Sequence, residues 1–177
     1  MKKKLLPLAL SGILLLSLVA CGGNQSSSTE SDISASGYID QLYQGLTESN
    51  LPVTDMEPTT PKEDSDSEIG DYLYTGYTVT DGVYVATYEN LDQTELLRTH
   101  VMVDLSLATR DNLSSGSFAI INMVYYFDPS NAEEISESLN INDIQTAGIS
   151  EAEGNSGSYK YLVTPGDTIT LVYTVAQ

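Results

Sequence analysis

Between residues 36 and 49 apolar side chains recur at helical spacing. Ile39, Leu42, Tyr43 and Leu46 stand at i, i+3, i+4 and i+7 and share one face. The spacing predicts a helix from about Ser36 to Ser49, capped by Ser34 or Ser36, with Gly45 as its weak point. From Asp71 onward the period shortens to two, and Tyr, Val, Thr and Ile become frequent, as half-buried strands require. Tyr72–Thr80 and Val83–Glu89 flank Asp81-Gly82, a pair suited to a tight hairpin turn. Thr99–Leu107 alternates Thr99, Val101, Val103 and Leu105 against His100, Met102 and Asp104, so one face of that strand is expected to be wet; a helical turn fits the stretch before it, Leu91–Leu97.

Phe118–Phe127 (FAIINMVYYF) is apolar on both faces apart from Asn122, and reads as a central strand covered on two sides. After Asp128-Pro129, Ser130 and Glu133 are spaced as a capping box for a short helix bearing Ala132, Ile135 and Leu139 on one face and ending near Asn140. Tyr159–Val163 and Thr168–Val175 close the chain as a hairpin around Thr164-Pro165-Gly166-Asp167, where proline and glycine fit a type II turn. Ile169, Leu171, Tyr173 and Val175 are its buried side. The expected fold class is α+β: an antiparallel sheet of five or six strands, an N-terminal helix and one short helix before the last hairpin.

Two polar stretches interrupt the pattern. Residues 21–35 are Gly, Ser, Asn, Gln and acids after the cysteine, and read as a flexible tether. Residues 54–68 (TDMEPTTPKEDSDSE) read as an acidic linker or long loop, which separates a helical segment, 36–53, from a β-rich domain, 69–177.

The first 20 residues follow different rules. Lys2, Lys3 and Lys4 precede an apolar stretch, Leu5–Ala20, which at about 16 residues falls short of the roughly 20 that span a bilayer as a helix. That order is an export signal. Leu18-Val19-Ala20-Cys21 resembles the lipobox of bacterial lipoprotein precursors, in which small residues before a cysteine direct signal peptidase II. The resemblance implies cleavage after Ala20, diacylglycerol on the Cys21 thiol and, in many bacteria, a further palmitate-type chain on the new amino terminus. The Cys21-Gly22-Gly23 start, the Ser-rich tether and the capped helix followed by a Thr-Ile-Thr-Leu hairpin also resemble small lipoproteins of Gram-positive bacteria. That likeness carries no activity, but implies the extracytoplasmic face of the cell membrane as the location.

Cleavage at that site would remove three lysines and leave Lys62, Arg98, Arg110 and Lys160 against 25 carboxylates, moving the net charge from −18 to −21. Such a balance repels phosphate backbones and anionic headgroups, so nucleic acid is excluded as a partner and the lipid alone would hold the membrane. Cys21 is the sole cysteine, which leaves the domain no disulfide and no thiolate chemistry.

Candidate catalytic groups are few. His100 is the only histidine, and its strand-face position beside Met102 and Asp104 suits a structural role better than a general base. Asp64, Asp66 and Glu68 are spaced as hard-cation ligands, yet a calcium loop opening at Asp64 would need glycine and glutamate where Ile69 and Thr75 stand; a solvated acidic stretch is favoured, with no metal and no cofactor. Twelve tyrosines and no tryptophan make tyrosine the unusual residue, with Tyr72, Tyr74, Tyr84 and Tyr88 on one hairpin. The expected function is a non-enzymatic binding or accessory module with an envelope protein as partner. The alternative is a small cell-envelope hydrolase using carboxylates; a solute-binding lipoprotein of the two-lobed kind would need a larger domain.

Overall fold

A computed structural model describes residues 33–144 and 146–176. Cys21 and the recognition residues Leu18, Val19 and Ala20 lie outside them. The elements run α1 (Ala35–Glu48), β1 (Lys62–Asp66), β2 (Gly70–Thr80), β3 (Val83–Glu89), β4 (Leu96–Asp104), α2 (Arg110–Phe127), α3 (Ala132–Leu139), β5 (Gly148–Glu153), β6 (Gly157–Thr164) and β7 (Thr168–Val175). The class is α+β, with seven strands instead of five or six. All neighbours are antiparallel, in the order β1-β2-β3-β4-β7-β6-β5. Two meanders, β1–β4 and β5–β7, are joined by α2 and α3, so that the last strand returns to pair with β4.

Each β-strand alternates as its sequence demands. Val101 and Val103 of β4, Leu171 and Tyr173 of β7, and Tyr159 and Tyr161 of β6 turn inward, where all three helices cover the sheet on one face. Among the described residues, the opposite face carries no helix. At the hairpins Gly82 and Gly166 take positive φ, and the Asp167 amide donates to the Thr164 carbonyl at 3.0 Å.

Helix α1 is capped by Ser34, whose hydroxyl accepts from the Gly37 amide. Its buried stripe is Tyr38, Ile39, Leu42 and Leu46; Tyr43, expected on that stripe, is 41% exposed. Gly45 has a packing reason. Phe118 of α2 crosses there, and a Cβ at Gly45 would stand 2.7 Å from the ring.

The largest departure is α2. The run Phe118–Phe127, read as a central strand, is the second half of an 18-residue helix capped by Thr109. Its buried positions are Asn112, Ser115, Gly116, Ala119, Ile120, Met123, Val124 and Phe127, an unbroken helical stripe. The first three are small or polar, and Ile121 and Tyr125 stand on the outer side at 37% and 43% exposure. A hydropathy reading therefore sees an apolar block where the fold has a stripe.

Of residues 54–68, expected as an acidic linker or long loop, 54–61 form a loop and Lys62–Asp66 form β1. The Thr54 amide donates to the Val79 carbonyl and Thr59 to Gly76, and Pro58 bridges Tyr77, so this segment covers the upper edge of β2 while β1 pairs with its lower end. Met56 is buried in the process. Helix α1 packs on the rest of the domain through Tyr38, Leu42 and Leu46, and the described residues belong to one compact unit. At α3 the helix is where expected, but its N-cap is Asn131 with no side-chain cap bond; Ser130, expected to cap, instead accepts from the Asn155 side chain at 3.4 Å.

Candidate functional site

The helix-free face of the sheet is ordered by register into rows that cross the strands. One row is Ile149, Leu162, Thr170, Met102 and Tyr84. The next is Glu151, Lys160, Val172, His100 and Ala86, and a third is Glu153, Ser158, Thr174, Arg98, Tyr88 and Tyr74. Ile149 and Met102 are the exposed large apolar residues of this face, at 62% and 37%.

Charge on this face is unlike that of the chain as a whole. Across the five inner strands, β2, β3, β4, β7 and β6, the outward positions hold mainly tyrosine, threonine and small or apolar residues, together with Arg98, His100 and Lys160. The only carboxylate among them is Asp104, at the rim, whose Oδ1 accepts from the Ser106 amide and hydroxyl. Those bonds hold Asp104 below the usual carboxylate range. Three of the four basic residues after Lys4, namely Lys62, Arg98 and Lys160, also stand on this face. A chain with 25 carboxylates has kept them off the middle of one surface.

One corner of the face is built around Tyr88. Its ring packs edge-on against Tyr72 (5.0 Å between centroids) and Tyr74 (5.4 Å), and tilts against His100 at 4.7 Å. The Tyr88 hydroxyl lies 3.1 Å from His100 Nδ1. Burial, and then the neighbouring Tyr74 and Tyr72, push the Tyr88 hydroxyl up to about 12. Arg98 is buried beside them. Its Nε donates to Thr174 Oγ1 at 3.1 Å, and its other nitrogens pair with Asp66 (3.5 Å) and Glu68 on the β1–β2 turn.

Of the three candidate cation ligands, Asp66 and Glu68 are brought together by Arg98. Asp64 stands apart, bonded to the Ser65 amide, and no group of three ligating residues suited to a metal occurs among the described residues. The Glu68 amide, followed by Arg98, holds the Asp66 carboxyl below its ordinary value.

His100 is held by packing. Its Nε2 is buried with no hydrogen-bond partner among the described residues, so an imidazolium would leave one N–H unsatisfied. Burial, with Arg98 adding to it and Asp66 opposing it, drives the imidazole down to about 4. At neutral pH it is an uncharged wedge, unable to reach a substrate from Nε2. The sign of the linkage follows: the unfolded chain takes up a proton near pH 6.5 and the folded chain only near 4, so stability is full above pH 6.5 and falls toward pH 4. Between pH 7 and 4 the parent is expected to lose about 2–3 kcal/mol more than His100→Gln, measured by urea unfolding. Parallel curves would show that His100 is not buried neutral.

Compared with protein-family models, curated proteins and solved structures, the chain matches none. Function must be read from its own geometry.

A second polar cluster lies under the β5–β6 turn. Asp128, at the C-terminal end of α2, is 2% exposed and accepts from the Asn155 amide (2.6 Å), the Ser156 amide (3.1 Å), the Ser156 hydroxyl (2.7 Å) and the Tyr159 hydroxyl (2.8 Å). The Tyr173 hydroxyl donates to the Ser156 carbonyl at 2.9 Å, and its ring stacks on Phe127 at 4.0 Å. Burial first, and then Asp128, raise the Tyr159 hydroxyl, which stays a donor. Gly154 is required beside it, because a Cβ there would overlap the Asp128 carboxylate. Ser156 and Asp128 resemble the beginning of a nucleophile pair, but both oxygens of the carboxylate are occupied and no base completes the set. The cluster is a clamp between α2 and the last hairpin. Sequence reasoning passed over it, since Asp128-Pro129 looked only like a terminator; Gly154-Asn155-Ser156-Gly157, a tight turn followed by an inward Tyr159, was the available signal.

Proposed function

We propose that this chain is an extracytoplasmic lipoprotein, anchored by lipid on Cys21, whose domain is a non-enzymatic binding module that docks another envelope protein through the helix-free face of its sheet. One observation carries the reading: the five inner strands present tyrosine, threonine and apolar side chains, with Arg98, His100 and Lys160 among them and one rim carboxylate, on a chain of net charge −18. Tyr72, Tyr74, Tyr84 and Tyr88 supply rigid amphipathic area at low entropic cost, as interface centres do. Apart from Asp104, the carboxylates of this face sit on the two outer strands, Asp64 and Asp66 on β1 and Glu151 and Glu153 on β5, as an interface rim. The hydrolase alternative loses support from Asp128, the only buried carboxylate among the described residues, because its oxygens are fully engaged.

The test is affinity capture from solubilised envelopes with the full chain, against a Tyr84→Asp/Met102→Asp double variant. Neither side chain is in the core, so the fold should persist. A protein recovered with the parent is expected to fall at least about tenfold with the variant, since an unpaired charge at the centre of an interface costs more than 1.4 kcal/mol. Equal recovery would remove this face from the function.

A further inference from the structure

The two outer strands of the sheet are not alike. β1 (KEDSD) is polar throughout and borders no helix, whereas β5 (GISEAE) runs beside α3. β5 bonds to β6 alone, so its outer row of N–H and C=O groups is unpaired among the described residues. Between β5 and α3 lies a groove made of two hollows end to end, about 220 Å³ and 90 Å³. Its existence follows from the sequence. The β5 positions that turn toward the helix are Gly148, Ser150 and Ala152, too small to fill the gap, and the floor is Ile135 and Leu139 of α3.

From this arrangement we infer that the α3–β5 groove takes up an extended segment of a partner protein as an eighth strand, one whose lysines or arginines alternate with small apolar residues. The inference concerns a different surface from the face discussed above and does not depend on it. Backbone pairing with β5 would supply affinity, and the alternation would supply specificity. On one side of the added strand small apolar residues would lie over Ile135 and Leu139. On the other, basic residues would meet Glu151 and Glu153. Glu134, on the helix rim, and Glu153 have no basic partner among the described residues, and Glu151 has only Lys160 at 3.5 Å. A segment of that charge is what the site lacks.

No segment within residues 1–177 has that alternation: Lys2, Lys3 and Lys4 are consecutive, and Lys62, Arg98, Arg110 and Lys160 are isolated from one another in sequence. A second copy is disfavoured as well, because antiparallel pairing of β5 with β5 would set Glu151 and Glu153 against their own kind.

The experiment uses the full chain in non-ionic detergent and a fluorescein-labelled peptide of four Lys-Val repeats, with a Glu-Val peptide as control. Anisotropy is expected to show saturable binding, with at least about tenfold preference for Lys-Val. Amide exchange is expected to slow at Ile149–Glu153. Ser138→Trp, which fills the groove from an exposed helix position, should weaken binding about tenfold or more, and Glu134→Gln/Glu153→Gln should do so with the groove left open. Absent binding, unchanged binding in Ser138→Trp, or binding that leaves the β5 amides unprotected would each overturn the inference, the last by showing mere attraction to an acidic surface.

Discussion

Asp128→Ala is expected to destabilise the domain by about 3–5 kcal/mol, lowering Tm by roughly 10–20 °C for a unit of this size. Four donors converge on the Asp128 carboxylate, two from backbone amides and two from hydroxyls. Each charge-assisted bond contributes about 1.5–3 kcal/mol, and desolvating the anion returns part of that sum. The loss in the variant is larger than a single bond because the Tyr159 hydroxyl, in a residue only 2% exposed, is left facing a cavity. Tyr159→Phe removes one donor and leaves three, so it should cost only about 1–2 kcal/mol. Asp128→Asn should fall between, since its amide NH₂ would face donors. Thermal denaturation of the three variants checks the order; a Tyr159→Phe loss equal to that of Asp128→Ala would mean that the carboxylate is not the hub.

Exchanging residues 1–21 for an export leader that is cleaved without a cysteine, so that no residue can carry the lipid, is expected to move the protein almost entirely from the membrane fraction to the soluble one. Two acyl chains anchor stably, at about 0.8 kcal/mol per buried CH₂, whereas nothing else in the composition favours the membrane. With the leader removed, four basic residues face 25 carboxylates, and three of the four occur on the helix-free face where ion pairs or tyrosines surround them. Repulsion from anionic headgroups would then act unopposed. Fractionation of cells expressing each form measures this directly. Retention of the variant in the membrane fraction would show that the lipobox resemblance misleads.

The parts of this fold legible from residues alone are those in which one face is buried and the other wet. α1, α3, the β2–β3 and β6–β7 hairpins and β4 all announce themselves by period. Three elements do not, each for a physical reason. α2 conceals its stripe, because Asn112, Ser115 and Gly116 occupy buried positions while Ile121 and Tyr125 lie outside, which turns a helical pattern into an apolar block. β1 and β5 are rim strands with no fully buried residue, and a strand with no buried side has no alternation to read.

The site divides in the same way. The tyrosines of the β2–β3 hairpin are visible in the sequence, but their meeting with His100 and Arg98 requires the β3–β4 register. The Arg98 pairing with Asp66 and Glu68 spans 30 residues or more and no local rule contains it. Asp128 is harder still. Its role depends on a turn 27 residues later returning to the end of α2, and a lone acid before a proline gives no hint of that.

The most direct test of the docking face is photo-crosslinking in intact cells. A benzophenone amino acid is placed in the full chain at Met102 or Tyr84, and in separate chains at Ile121 or Tyr125, which stand exposed on α2 away from that face. Transfer of label from Met102 and Tyr84 to one envelope protein, with none from Ile121 and Tyr125, is the expected result. Equal labelling from all four positions, or none from Met102 and Tyr84, would contradict the account.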